Sequence, residues 1–523
     1  MRLKFLIFIL CLSNIVYAQQ KDFIDYVNPL FVPLSDTTAK DTIIKQEKET
    51  ENLTNVIPAV GVPFGMTQWT PQTQTSEEKG LAPYLYKNEK INGFRGTHWS
   101  KGYGKDYGSF TIMPISGNLK TNAQDYASAY SHKNEISAPN YYKVLLDDSQ
   151  ITAELTGLAR SGMMRFTAGK DDDFYLLITP NSDQGKGFIQ INASEKEIAG
   201  YNPVYQMTGK PAGFSGYFVI QFKKKPTNAG VYHGGQQLKE LSITNKKDLG
   251  AFLKFDLKKG ESLTLKIGTS FTSIANAREN LASEIRTWDF EAIREDAGRI
   301  WNSALGQINI ETDRTKYKNI FYTSLYRTMQ QPRLFNDVDG TYPKFSREHE
   351  NGINSGANYY DDFLLDDTYS SQLPLIELLQ PRTAVEFANS IVLKGEESNW
   401  LPIFPGWSGD TKTMVGDHAS VFLASVYTKN LYGVAYRKAY DLMRKNAFQS
   451  PNAQEYEDGK GRRSLRDYIK YGYIPRVNAV QDTSYRTKHL ELTLAYAYAD
   501  YAVATMAKRM NNFVDYQLLA KRA

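Results

Sequence analysis

Between Tyr359 and His418 the chain collects residue types that suit a neutral, hydroxyl-rich ligand. An acidic and aromatic run, Tyr359, Tyr360, Asp361, Asp362, Asp366, Asp367 and Tyr369, precedes the indole-rich segment WLPIFPGW, and Gly416, Asp417 and His418 close the stretch. Carboxylates accept hydrogen bonds from hydroxyls, and flat apolar rings cover the C–H faces of a pyranose, so the first expectation is a sugar site. The same composition also describes an acidic solvated loop followed by a helix with core tryptophans.

Such a site needs elements to position it. From about Phe110 to Phe271 the pattern is one of short alternating or β-branched runs: FTIMPISG, YYKVLLDD, ITAELTG, FYLLIT, YFVIQFKK, AFLKFDL and SLTLKIGTSF. Breaks at Asp147-Asp148, Pro180-Asn181 and Lys259-Gly260 fit antiparallel connections, and an all-β sandwich is predicted over 19–273. After Ser273 the period changes. Leu281, Ile285, Trp288, Ile293, Ala297, Ile300, Trp301 and Leu305 recur at three- and four-residue spacings, which predicts a long linker helix within 274–305. A brief strand, GQINIET, then leads to a helix capped by Asp313 that turns Tyr317, Ile320, Phe321, Leu325 and Met329 inward. Further helices are predicted at 368–395, 416–446 and 484–510, some apolar on more than one side and therefore covered on both faces. Residues 35–55 read as a polar surface insertion.

At 523 residues the chain is long enough for two or more domains. Aromatics make up 13%, with 35 tyrosines, which suits polar ligand surfaces. Residues 1–18 have the form of an export signal: Arg2 and Lys4, an apolar run from Phe5 to Val16, and Val16-Tyr17-Ala18 as a cleavage site. That run is short for a membrane span, and no later segment is longer, so a soluble periplasmic or extracellular protein is expected. The single cysteine, Cys11, lies in the leader, which excludes disulfides and thiol chemistry from the mature chain. Lys and Arg number 62 and Asp and Glu 57; losing Arg2 and Lys4 leaves a basic excess of three, which gives no reason to expect nucleic acid or an anionic membrane. Gly102, Gly104 and Gly108 lack the spacing and the strand-to-helix context of a phosphate loop.

Several segments together resemble family 92 of the glycoside hydrolases, exo-acting α-mannosidases. They are VPFGMTQWTP (Val62 to Pro71), GFRGTHW and DYGSFTIMP (Gly93 to Pro114), YYKVLLDD with ITAELT, LFNDVDG (Leu334 to Gly340), DDTY (Asp366 to Tyr369), WLPIFPGW (Trp400 to Trp407), GDH and KYGYIP (Lys470 to Pro475). The resemblance runs over nearly the whole mature chain. It implies an N-terminal β-sandwich whose loops reach into an (α/α)6 toroid over 306–523, with a pocket for the terminal mannose of a glycan where the two meet. On that basis His98 and Trp99 from the sandwich face the site together with Asp367, Trp400, Asp417 and His418 from the helical domain. Each has a plainer alternative: His98 as a satisfied loop histidine, Trp400 as core, Asp417 as a helix N-cap.

The resemblance also implies hydrolysis with inversion and a calcium ion held by oxygen ligands near the scissile sugar. In the family the acid, the base and the calcium ligands follow the region matching Thr493 to Tyr501, and no EGN-type, GNEPSH-type or GNDD-type segment occurs before Ala523. No catalytic residue and no metal ligand is therefore assigned here. Two departures point the same way. TLAYAYAD places Ala495 and Ala499 where the family usually has acidic residues, and LDDTYS places Asp366 and Ser370 where it usually has an indole and an arginine. Residues 306–523 supply only part of the helix pairs that close a toroid. At ~25 cal/mol per Å² of apolar surface, inner faces left wet would cost several kcal/mol, so a truncated or split gene product, or a chain that folds only with a complementing segment, is expected. A glycan-binding protein without turnover and a decayed fragment are the alternatives.

Overall fold

The computed structural model describes residues 22–30, 56–74, 82–99, 106–181, 184–206, 209–411, 414, 416–476 and 488–523. The leader at 1–18, the polar stretch 35–55 and the expected helix start at 484 lie outside them. The alternating runs form strands because one face of each meets a core. Tyr141–Leu146, for example, buries Tyr142, Val144 and Leu146 while Lys143 and Leu145 are half-exposed. Asp147 to Gln150 turn this strand back on Ile151–Gly157, with Gln150 in the left-handed region at φ 53°.

Among the described residues the strands assemble into two large antiparallel sheets. One orders Gln68–Gln72, Gly93–Thr97, Phe110–Ser116, Phe174–Thr179, Leu249–Phe255, Asn228–His233 and Gln236–Leu238. The other orders Ser242–Thr244, Phe188–Asn192, Glu197–Tyr205, Pro211–Phe222, Ser262–Ser270, Ser161–Ala168, Ile151–Gly157, Tyr141–Leu146 and Ile136–Ala138. Ile112, Leu176, Leu253, Leu155, Ile220 and Leu265 belong to the single core between them. This is the predicted sandwich.

The linker differs from expectation. Two helices, Ile274–Glu284 and Phe290–Leu305, replace one, because Thr287 and Asp289 offer the backbone competing bonds: Asp289 accepts from the amides of Glu291 and Ala292 and starts a new helix. The strand expected at GQINIET is absent from residues 306–312; with no neighbouring strand, Tyr322 Oη donates to the Ile308 carbonyl at 3.0 Å and accepts from the Ile310 amide. The following helix is Thr315–Arg327, preceded by Arg314 rather than capped by Asp313, and Tyr317 is exposed while Leu325 is buried.

The helical domain continues the same correction. The stretch predicted as 368–395 divides into Leu365–Thr368, Gln372–Leu379 and Pro381–Ser398, the last break falling at Pro381. The stretch predicted as 416–446 divides into His418–Thr428 and Tyr436–Phe448 around Gly433 at φ 104°. His489–Arg509 forms as one helix, and Ala453–Glu457, Leu465–Tyr471 and Phe513–Arg522 were not anticipated. His418–Thr428 is buried on nearly all sides between Pro381–Ser398 and His489–Arg509. On the far side of that packing, Leu490, Leu494, Tyr498 and Tyr501 on one helix, and Phe513, Val514 and Leu518 on the next, are exposed by half or more.

Trp69 of the VPFGMTQWTP segment packs against Gly157 and Gly162, at the turn-proximal ends of paired strands, where added Cβ atoms would stand 2.4 and 2.3 Å from the indole. Gly162→Ala is expected to destabilise the chain by about 1–3 kcal/mol through overpacking, measured by urea unfolding; an unchanged midpoint would contradict this packing.

Candidate functional site

Strand Gly93–Thr97 leaves the sheet into His98 and Trp99, and the buried Asp106 fixes that exit. Its carboxylate accepts from the His98 amide at 2.8 Å, Thr97 Oγ1 at 2.8 Å and Arg95 Nη1 at 3.0 Å. From the helical side, the fully buried Arg333 donates through Nη2 to the Trp99 carbonyl at 3.2 Å and through Nε to Asp362 Oδ2 at 2.7 Å. Tyr107, from the sandwich, donates its hydroxyl to the same Asp362 oxygen at 2.6 Å. One guanidinium and one carboxylate thus join the two domains beside Trp99.

Asp361 and Asp362 also shape the WLPIFPGW segment. The amides of Ser408 and Trp407, both in the left-handed region at φ 57° and 51°, donate to Asp361 Oδ2 at 2.7 Å and Asp362 Oδ1 at 3.2 Å. Asp361 Oδ1 lies 3.1 Å from Lys394 Nζ, out of hydrogen-bond alignment, and both groups are fully buried. Burial pushes the Asp361 carboxyl up and the Lys394 ammonium down from their ordinary values. The LFNDVDG segment makes a second junction: Asp337 accepts from Ser270 Oγ at 2.8 Å, Asn276 Nδ2 at 3.1 Å, Asn280 Nδ2 at 2.6 Å and the Thr272 hydroxyl.

At this seam lies a cavity of about 590 Å³. Its polar lining comes from Gln68, Arg327, Thr328, Gln330, Gln331, Asp367, Thr368 and Gln372, and its apolar lining from Pro29, Val56, Ile57, Ala59, Trp99, Tyr326 and Leu364. Amide side chains both donate and accept, which matches hydroxyl groups, and the buried Trp99 indole N–H has no partner among the described residues. Arg327 is directed to the Pro29 carbonyl at 3.5 Å, and burial lowers its pKa.

Of the six residues selected from sequence, Trp99 and Asp367 line this cavity. His98 stands behind Trp99 with both ring nitrogens engaged, Nδ1 with the Tyr107 carbonyl at 2.7 Å and Nε2 with Thr67 Oγ1 at 3.0 Å. Burial holds its pKa down at about 4, so it is a neutral, satisfied histidine. Trp400 donates its N–H to Glu455 Oε1 at 2.9 Å and has the Lys445 ammonium over its ring, so it is core rather than a stacking surface. Asp417 occupies an N-cap position without capping; it accepts from Arg462 Nε at 2.9 Å, and Arg462 Nη1 in turn donates to Asp500 at 2.6 Å, all three with no exposed side-chain surface. His418 stacks on Tyr369 at 4.1 Å and does not line the cavity. The glutamines were missed because an amide carries no spacing signal; only Gln68, inside the VPFGMTQWTP segment, had a neighbour that marked it.

Comparison with known proteins agrees with the two-part fold. The glycosyl hydrolase family 92 N-terminal domain model matches residues 37–270, and the family's catalytic domain model matches residues 276–523. The chain belongs to glycosyl hydrolase family 92. An inverting mannosidase of family GH92 from Bacteroides thetaiotaomicron VPI-5482 superposes with a TM-score of 0.82 at 27% identity, covering 96% of this chain and 64% of its own. A second Bacteroides thetaiotaomicron protein, a GH92 α-mannosidase, gives a TM-score of 0.82 at 28% identity, covering 96% of this chain and 65% of its own; it has also been solved with mannoimidazole. An uncharacterized secreted glycosidase of Arthroderma benhamiae is 23% identical over 497 residues, covering 88% of this chain and 58% of its own length. The chain therefore spans less than two thirds of the length of these relatives.

The calcium ion implied by the family resemblance calls for several converging oxygen ligands. Among the described residues no three His, Cys, Asp or Glu side chains converge on one point, so these residues do not by themselves fit it. Beside the cavity, Asp366 Oδ1 lies 3.5 Å from His418 Nδ1. This is not an ion pair at neutral pH, because burial lowers the His418 pKa to about 4 and raises that of Asp366 to about 6, with Asp367 and Glu491 adding to the latter shift.

A carboxyl whose pKa rises from 3.8 unfolded to about 6 folded takes up its proton more readily in the folded chain, so its contribution to stability falls as pH rises between those values. Asp366→Asn is expected to gain about 1 kcal/mol at neutral pH, after allowance for solvent screening, and nothing near the unfolded pKa. Thermal unfolding of both proteins across that range checks it; a gain independent of pH would contradict the assignment.

Proposed function

We propose that this family 92 chain holds the terminal mannose of a glycan in the cavity between its domains, as the substrate-holding portion of an inverting, calcium-dependent exo-α-mannosidase. The observation that carries the reading is the convergence there of Trp99, Asp367 and a set of glutamines, one wall from the sandwich and the others from the helical side. Asp367 accepts from sugar hydroxyls and the Trp99 indole covers a C–H face of the ring, while Gln68 Nε2 is bonded to Gln330 Oε1 and Gln372 Nε2 to the Thr328 and Gln331 carbonyls, so these two amides take part as acceptors. Inversion needs an acid and a base about 6.5–9.5 Å apart across the scissile bond. Asp367 is the one carboxylate in the cavity's described lining, so this lining does not by itself supply an acid and base pair.

His489–Arg509 and Phe513–Arg522 carry exposed apolar side chains, among them Leu490, Leu494 and Phe513, which have the character of a packing surface. The signal-like leader and the secreted relative support export from the cytoplasm. Among the described residues no helix is long and apolar enough to cross a membrane.

For the 523-residue chain this reading predicts binding without turnover. Calorimetry with methyl α-mannoside is expected to give saturable binding that Trp99→Ala and Asp367→Asn each weaken by about tenfold or more, while melting temperatures stay close to the parent's. Unchanged affinity in both variants would refute the cavity as the site. Hydrolysis of an aryl α-mannoside by this chain, dependent on calcium and abolished by chelation, would refute the reading that the cavity holds the sugar without an acid and base pair.

A further inference from the structure

Resting on that reading, we propose that the same cavity selects α-mannosides carrying an apolar aglycone, an aryl or alkyl group attached through the glycosidic oxygen. Part of the lining is apolar. Pro29, Val56, Ile57 and Ala59 from the N-terminal stretches, with Tyr326 and Leu364, form it, whereas Gln68, Gln330, Gln372 and Asp367 are the hydrogen-bonding groups.

A pyranose bristles with hydroxyls on its rim and offers only the C–H patches of its faces for apolar contact, which Trp99 already serves. Hydroxyls set against Val56, Ile57 and Leu364 would lose their hydration without a partner, at roughly 1–3 kcal/mol each. That surface is therefore matched to carbon. At about 590 Å³ the cavity falls within the roughly 300–1,000 Å³ range that encloses drug-sized ligands, and so has room for a group beyond one sugar ring. A neutral occupant fits a lining whose charged side chains, Arg327 and Asp367, are of opposite sign.

The test uses the full 523-residue chain and compares, by calorimetry, methyl α-mannoside with para-nitrophenyl and octyl α-mannosides. The apolar glycosides are expected to bind about tenfold tighter than the methyl glycoside, from the apolar area each buries. In Val56→Ser and Leu364→Ser that ratio is expected to fall to about threefold or less, one methyl-bearing contact at a time, with melting temperatures recorded to show that both variants fold. These substitutions also separate the cavity from the exposed faces of the last two helices, which they do not touch. A ratio near unity in the parent, or a tenfold ratio that neither substitution lowers, overturns the inference while leaving mannose binding intact. Absence of binding by all three glycosides overturns the proposed function and this inference with it.

Discussion

Asp361 and Asp362 are adjacent buried carboxylates, and most of the molecule's functional geometry depends on how they are compensated. Two anions side chain to side chain in a dry seam are tolerable only with cations and donors held against them. Arg333, Lys394, the Tyr107 hydroxyl and the amides of Trp407 and Ser408 supply these. Tyr107 comes from the sandwich and the others from the helical domain, so satisfying one charge cluster also fixes the domains against each other. Asp362 itself sits at φ 59°, and the Trp407-Ser408 turn is left-handed, conformations that these bonds hold in place.

The cavity follows from that constraint. Arg333 uses one arm on Asp362 and another on the Trp99 carbonyl, so the residue that neutralises the seam also sets the depth and angle of the indole. Asp106 secures the same loop from the sandwich side, and the neutral His98 fills the space behind it. Further along the helical domain a second buried ion network, Asp417, Arg462, Asp500 and Arg522, ties the His418 helix to the last two helices. Both networks are structural, yet each touches a position that the sequence marks as a ligand contact: Arg333 holds the Trp99 carbonyl, and Asp417 is itself a member of the second. Deep polar clusters at a domain seam make rigid walls, and rigid walls allow a few side chains to be held at fixed distances.

Much of this was legible in the residues. The strand runs alternate with period two because one face of each packs on the core, and Tyr141–Leu146 and Phe174–Thr179 form where the pattern places them. Helix lengths were less legible, because Thr287-Trp288-Asp289, Pro381 and Gly433 break patterns that hydrophobic spacing alone extends through them. Of the six residues selected by type and context, Trp99 and Asp367 line the cavity. Trp400 and Asp417 look the same in sequence, and only their partners, Glu455 and Arg462, reveal that their polar atoms are already satisfied. The glutamines of the cavity, brought together from positions 68, 330, 331 and 372, could not be seen without the fold.

The account stands on Arg333 coupling the seam to the cavity, and the direct measurement is the affinity of Arg333→Lys for methyl α-mannoside by calorimetry. Lysine keeps the charge against Asp362 but lacks the planar fork that also reaches the Trp99 carbonyl. The predicted result is a chain that still folds, with affinity reduced about tenfold or more as Trp99 loses its anchor. A folded variant that binds as tightly as the parent would contradict the claim that this guanidinium positions the site.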